Sequence, residues 1–372
     1  MKNFICKAVI SSVSASIIFG IGASVSAVSG NKPINIYLAG DSTVKDYSKI
    51  GYWMDGKADS EGSWGEFLQY FFDKNKVKIF NYAQGGRSTR SFMNEPPRYD
   101  AIKKNIKDGD YLFIQFGHND TSINLERGVF LGEPDENGIY PSIPGVKNKD
   151  GLYPNPVQDE DGKRNIEESG TYKWYLKQYV DMAKSSGAIP VIITPVSRLQ
   201  FDNNGIIKPH HDENGTDEKD RKNGYVIAAK QVAEEQDVML IDFFEISKSL
   251  YESLYKVDRG VSKNFSPLAK QLFNVADNTH HDKVGGYIMS ELMVLELQKT
   301  GFEDIASGIK IPGGFTSVTD TGDIGLMVNG AGQPSPYMTN GAQGGYTKEI
   351  NERMSNIIRD YMYQIEKNIK KS

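Results

Sequence analysis

Ile34-Asn35-Ile36-Tyr37-Leu38-Ala39-Gly40-Asp41-Ser42-Thr43 is a short apolar run that stops on a glycine and hands over to polar residues. A strand buried on both faces of a parallel sheet reads this way, as a nearly continuous apolar stretch. The pattern returns at 77–83, which ends in Gln84-Gly85-Gly86, and at 111–116, which ends in Gly117. It returns again at 189–194, ending at Pro195, and at 238–241, ending at Asp242. Between and after these runs, 64–72, 172–183, 226–232, 243–254 and 283–298 bring apolar residues round at helical spacing. Alternating strands and helices predict an α/β fold: an open parallel sheet of about five strands with helices on both faces and right-handed crossovers.

In such a sheet, sites form where strands end at their carboxyl edge. Ser42, Gly86 and Asn119 each lie within a few residues of a predicted strand end, which places them on one rim. A fourth polar segment, Asp277-Asn278-Thr279-His280, precedes the helix at 283–298 and can deliver two side chains to that rim. The set contains what acyl transfer requires. A serine hydroxyl needs a base within hydrogen-bond reach. The chain has five histidines, His118, His210, His211, His280 and His281. His280 suits best, because Asp277 three residues earlier can hold its Nδ1–H and leave Nε2 for Ser42. His281 is the second choice as base. Asp282 is expected to cap the following helix. The N–H groups of Ser42 and Gly86 and the side-chain amide of Asn119 are candidate oxyanion donors.

Composition narrows the rest. Lys2 and Lys7, the apolar stretch 8–22 and Val25-Ser26-Ala27 read as a secretory signal over residues 1–27, so the protein is expected to be secreted. Cys6, the only cysteine, lies inside that segment. The exported chain of about 345 residues would therefore hold no disulfide, thiolate metal site or cysteine nucleophile. The net charge of −5 comes without a basic stripe, which argues against nucleic acid as a partner. After removal of the signal nothing suggests a membrane, and a monomer is expected. Most of the 20 tyrosines and 17 phenylalanines are expected in the core. His210-His211-Asp212 and His280-His281-Asp282 invite a metal reading, but adjacent histidines ligate one ion only with strain, and 202–223 reads as a solvated acidic loop. No cofactor is expected.

Gly40-Asp41-Ser42-Thr43, Gly86-Arg87-Ser88 with Arg90-Ser91, Gly117-His118-Asn119-Asp120 and Asp277-Asn278-Thr279-His280 together resemble the four signature blocks of the SGNH, or GDSL-like, hydrolases. In detail they are similar to the rhamnogalacturonan acetylesterase branch, and Ser63-Trp64-Gly65 resembles a Trp-Gly element found there. The likeness covers 33–120 and 171–300. It implies a flavodoxin-like three-layer sandwich without a metal cofactor. It also implies Ser42 as nucleophile, His280 as base, Asp277 as its partner, and Ser42, Gly86 and Asn119 as the oxyanion hole. The implied substrate is an acetylated pectic or related polysaccharide. A lipolytic or thioesterase-type enzyme and a non-catalytic carbohydrate-binding relative are the alternatives. The hydrolase domain is expected over 33–300, with a polar insertion at 121–170 that should overhang the site. The extension 301–372 should end in an amphipathic helix (Ile350, Met354, Ile357, Ile358, Tyr361, Met362, Ile365) packed on the domain.

Overall fold

The computed structural model describes residues 32–48, 61–158, 160, 164–165, 167–212, 222–257, 264–270, 272–274, 277–299 and 301–310. The signal at 1–27 and the terminal helix pattern at 350–365 lie outside them.

Five parallel strands make the sheet: β1 (Ile34–Gly40), β2 (Val77–Asn81), β3 (Tyr111–Gln115), β4 (Ile189–Ile193) and β5 (Met239–Ile241). Their spatial order is β2-β1-β3-β4-β5, the flavodoxin-like order, with the switch point between β1 and β3. Ile36 of β1 pairs with Tyr111 of β3, and the register runs on to Gly40 opposite Gln115. The loops after β1 and β3 therefore leave side by side.

The helices are α1 (Trp64–Phe67), α2 (Thr89–Asn94), α3 (Arg98–Asn105), α4 (Tyr172–Ser185), α5 (Gly224–Glu235), α6 (Phe243–Val257), α7 (Pro267–Lys270), α8 (Lys283–Glu296) and α9 (Glu303–Ala306). Successive strand residues alternate between two cores. Ile36, Leu38, Phe113 and Val191 pack with Trp64, Leu250, Leu292 and Ile305 on one face. Ala39, Leu112, Ile114 and Ile192 pack with Phe92, Leu176, Tyr179 and Val232 on the other. That is the three-layer sandwich expected from the alternation. Phe302 and Ile305 are buried in the first core, and the Tyr111 hydroxyl donates to the Asp304 carboxylate at 2.9 Å.

Two features fix the site end of the sheet. Trp64 Nε1 donates to Gln115 Oε1 at 2.8 Å, Gln115 Nε2 donates to Thr43 Oγ1 at 2.9 Å, and Thr43 Oγ1 donates to Asp41 Oδ1 at 2.8 Å. This buried chain ties α1 and β3 to the turn that carries Ser42. Gly65 makes it fit: a β-carbon there would sit 2.1 Å from the Val44 carbonyl oxygen. The second feature is a two-residue antiparallel ribbon in which Glu61 pairs with Asp282 and Gly62 with His281.

The insertion is largely irregular but anchored. Val129, Phe130 and Leu131 are buried, and Phe130 bridges to Thr171 at the start of α4. The segment 202–212 departs from a solvated acidic loop. Phe201 pairs with Ile207, and Phe201, Ile207 and His211 are buried, because the loop folds back onto the domain under α6.

Candidate active site

Ser42 sits in the turn directly after β1, almost covered at 8% exposure. Its carbonyl accepts from the Tyr47 hydroxyl at 2.9 Å. The Asp41 carboxylate accepts from Thr43 N–H at 2.9 Å and so closes the turn beneath it.

The segment with His280 comes from the far end of the chain. Asp277 Oδ1 accepts from the N–H groups of Thr279 and His280 at 2.6 and 3.2 Å, winding the turn around the carboxylate. Lys270 Nζ donates to the carbonyls of Asn274 and Asp277 and holds the turn from below. Leu199 N–H donates to the Asn278 carbonyl at 2.8 Å, so the turn is also stitched to the loop after β4. Within this frame His280 Nδ1 meets Asp277 Oδ2 at 2.5 Å, and His280 Nε2 meets Ser42 Oγ at 2.8 Å. Hydroxyl, imidazole and carboxylate thus form an unbroken row across 238 residues of chain.

The charges suit it. Burial opposes protonation of His280, but the Asp277 hydrogen bond and charge, with Glu61 and Asp41, outweigh burial and raise its pKa above 6.5. Burial likewise works against the Asp277 carboxylate, yet the His280 ring and the turn N–H groups hold its pKa well below the usual range. The two side chains keep 27% and 31% exposure, so the ring can reach a ligand in the cleft.

His281 points the other way. It is buried on Phe273, with ring centroids 4.5 Å apart, and Nε2 meets the Tyr251 hydroxyl at 2.7 Å. Asp282 accepts from Gly285 N–H at 2.8 Å as the cap of α8. The other His-His-Asp stretch is also dispersed: His211 Nε2 lies 3.3 Å from His118 Nδ1, whereas Asp212 accepts from the N–H groups of Asn223 and Gly224.

The donor residues come from neighbouring loops. Gly86 has φ +75°, a conformation that suits glycine and turns the loop after β2. A β-carbon on its neighbour Gly85 would lie 3.7 Å from Ser42 Cβ, so this loop touches the serine. Asn119 Nδ2 donates to the Arg87 carbonyl at 3.1 Å and keeps a second N–H. The structure therefore joins Asn119 to the Gly86 loop and that loop to Ser42.

Three residues near the site were not singled out from the sequence. Glu61, Asp277 and His280 each place one ligand-type atom within 4.8 Å of the others. Only the ribbon brings Glu61 there, and nothing local in the sequence signals that pairing. Arg198 follows β4, and its partly buried guanidinium reaches the His118 carbonyl at 3.5 Å. Its position after a strand was a usable signal. Arg127, in the insertion, packs against Gly86.

The family profile described as GDSL-like Lipase/Acylhydrolase matches residues 36–293. The chain is 32% identical over 276 residues to the probable rhamnogalacturonan acetylesterase YesY of Bacillus subtilis (strain 168), covering 74% of this chain and 98% of that one. It is 30% identical over 273 residues to the rhamnogalacturonan acetylesterase RhgT of the same organism, covering 73% and 92%. Among solved structures, Axe2, an acetylxylan esterase from Geobacillus stearothermophilus, aligns with a TM-score of 0.42 at 14% identity, covering 72% of this chain and 95% of that one.

Proposed function

The chain belongs to the GDSL-like lipase/acylhydrolase family and is a carboxylic-ester hydrolase, and from that premise we propose that it is an exported esterase that removes O-acetyl groups from plant cell-wall polysaccharide, pectic rhamnogalacturonan first among them. The observation that carries the chemistry is the row Ser42–His280–Asp277 at 2.8 and 2.5 Å. The rhamnogalacturonan acetylesterase names of two relatives matched over most of their length support the substrate. The signal-like segment 1–27 supports export.

Ser42 Oγ attacks the acetyl carbonyl while its proton passes to His280 Nε2. Asp277 orients the ring and balances the imidazolium that forms. The carbonyl oxygen gains negative charge beside the N–H groups of Ser42 and Gly86 and the amide of Asn119. The C–O bond to the sugar then breaks, and His280 returns the proton to the departing sugar oxygen. Water, deprotonated by the same ring, attacks the acetyl-enzyme and releases acetate and Ser42.

Acetate release from acetylated rhamnogalacturonan, xylan and mannan tests the reading, with Ser42→Ala as the control. The wild type is expected to release acetate, fastest from the pectic polymer, and Ser42→Ala to lose that activity while keeping its fold. Near-normal turnover by Ser42→Ala would overturn the nucleophile assignment. A wild type inert on all three polymers would overturn the substrate.

A further inference from the structure

Arg127 carries the insertion up to the loop after β2 that touches Ser42. A β-carbon on Gly86 would sit 3.5, 3.6 and 3.7 Å from Cζ, Nη1 and Nη2 of Arg127. The guanidinium therefore lies against the glycine proposed as an oxyanion donor, one residue beyond Gly85 and its contact with Ser42. Its neighbours differ. Arg87 is matched by Glu95 at 2.5 Å and also donates to the Gly85 carbonyl at 3.0 Å. The Arg127 side chain is exposed and, among the described residues, has neither a carboxylate nor a carbonyl partner.

The backbone that presents Arg127 is built rather than loose. Arg90 is 2% exposed, and its guanidinium donates to the carbonyls of Leu125 and Glu126 at 2.8 Å each and to Asn155 Oδ1 at 2.6 Å. Arg127 and Gly128 N–H both donate to the Asn124 carbonyl, at 3.0 and 2.7 Å, and Asn124 Oδ1 accepts from Glu126 N–H at 2.9 Å. Gly128 leaves no room for a side chain, since a β-carbon would meet the Ser122 carbonyl oxygen at 2.3 Å. A buried arginine thus clamps the turn on which an unmatched arginine stands.

We propose that Arg127 is a specificity-determining residue that binds an anionic group, a uronate carboxylate, of the acetylated polymer. A planar guanidinium recognises a carboxylate through paired, charge-assisted hydrogen bonds, and this one lies beside the acyl site without an acid among the described residues to satisfy it. The assignment rests on the pectic deacetylase reading and names the residue that would bind that polymer's carboxylate.

The test uses one acetylated rhamnogalacturonan oligosaccharide and its methyl-esterified counterpart, in which the uronate carboxylates are neutralised. kcat and KM are measured for the wild type, Arg127→Gln and Arg127→Lys at low and high salt. The wild type is expected to prefer the anion, and the preference should shrink as salt rises. In Arg127→Gln the ratio of kcat/KM between anionic and neutral substrates should fall roughly tenfold, mainly through KM, with part of it restored in Arg127→Lys. A ratio that does not move in Arg127→Gln overturns the proposal. So does an equal loss on both substrates carried by kcat, because Arg127 would then be serving the oxyanion instead. A wild type that releases acetate from neither rhamnogalacturonan fragment removes the pectic deacetylase reading on which the assignment rests, a failure read before any variant is made.

Discussion

The turn at 117–120 and the turn at 277–282 each show one polar side chain to the cleft and bury the residue beside it. In the first, Asn119 is presented, while His118 packs on His211 with ring centroids 4.7 Å apart and Asp120 accepts from Thr89 N–H and Oγ1 at 2.9 and 2.6 Å. In the second, His280 is presented and His281 is buried on Phe273 and Tyr251. The buried neighbour is an anchor that fixes the direction of the exposed one. The two turns differ in charge. In the first, burial and the charge of Arg198 lower the His118 pKa well below 6.5. The second wraps a carboxylate, and the His280 pKa is raised. One turn shows an amide that never titrates. The other shows an imidazole that does.

Swapping the roles within the second turn is the strongest way to break this comparison. His280→Ala removes the general base and should lower kcat by about 10⁴–10⁶ on a small acetyl ester, with little loss of stability. His281→Phe removes a partner of the buried Tyr251 hydroxyl and should cost about 1–3 kcal/mol in chemical denaturation, with a far smaller effect on kcat. If His281→Phe is the variant that abolishes turnover, the base has been misassigned.

The first turn gives a smaller effect of a different kind. Asn119→Ala should lower kcat by about 10²–10³, as loss of one oxyanion donor does, and change KM less, since the donor acts on charge that develops only in the transition state. Loss confined to KM, measured by steady-state kinetics, would make Asn119 a substrate-holding residue and leave the oxyanion to the two backbone N–H groups.

How far this site could be read from sequence depended on how local its determinants are. Asp277 and His280 share one turn, so three residues of spacing were enough to suggest their pairing. The strands were legible because burial on both faces leaves a continuous apolar run. The strand in the run at 77–83 extends only to Asn81, whose side chain accepts from Ala83 N–H at 2.9 Å and donates to the Val44 carbonyl at 2.6 Å, while Tyr82 and Gln84 N–H still donate to the Leu38 and Gly40 carbonyls of β1 at 3.0 Å each. The helical pattern at 64–72 divides into α1 and a 3₁₀ turn at Leu68–Phe71. Helices α2 and α3 left no trace in the pattern. In α3 only Ile102 is buried, so no apolar stripe marks it. The capping box of α2 uses Ser91 where the familiar acidic or amide residue would stand. Glu61 and Arg127 reach the site through a ribbon and a clamped loop, and neither contact has a local signature.

The smallest expected effect separates two groups whose pKa values are both raised. Burial raises the Asp120 carboxyl to about 7, against the hydrogen bonds from Thr89, so a limb near neutrality in kcat/KM could come from Asp120 or from His280. The His280 ring must be neutral to accept the Ser42 proton, so kcat/KM should rise with pH along a limb centred above 6.5. His281, lowered to about 3 by burial, and His118 and His211, also lowered by burial, stay neutral across that range and add no limb. Glu61 decides between the two candidates, because its charge favours the protonated His280 ring. Glu61→Gln removes that charge, lowers the His280 pKa and should move the limb to lower pH by about a few tenths of a unit. Asp120 sits under α2 on Thr89, away from the ribbon that carries Glu61, and a limb of its own would stay in place. A limb that does not move in Glu61→Gln would assign the ionisation to the buried carboxyl of the first turn, and the contrast between a fixed donor and a titrating base would fail.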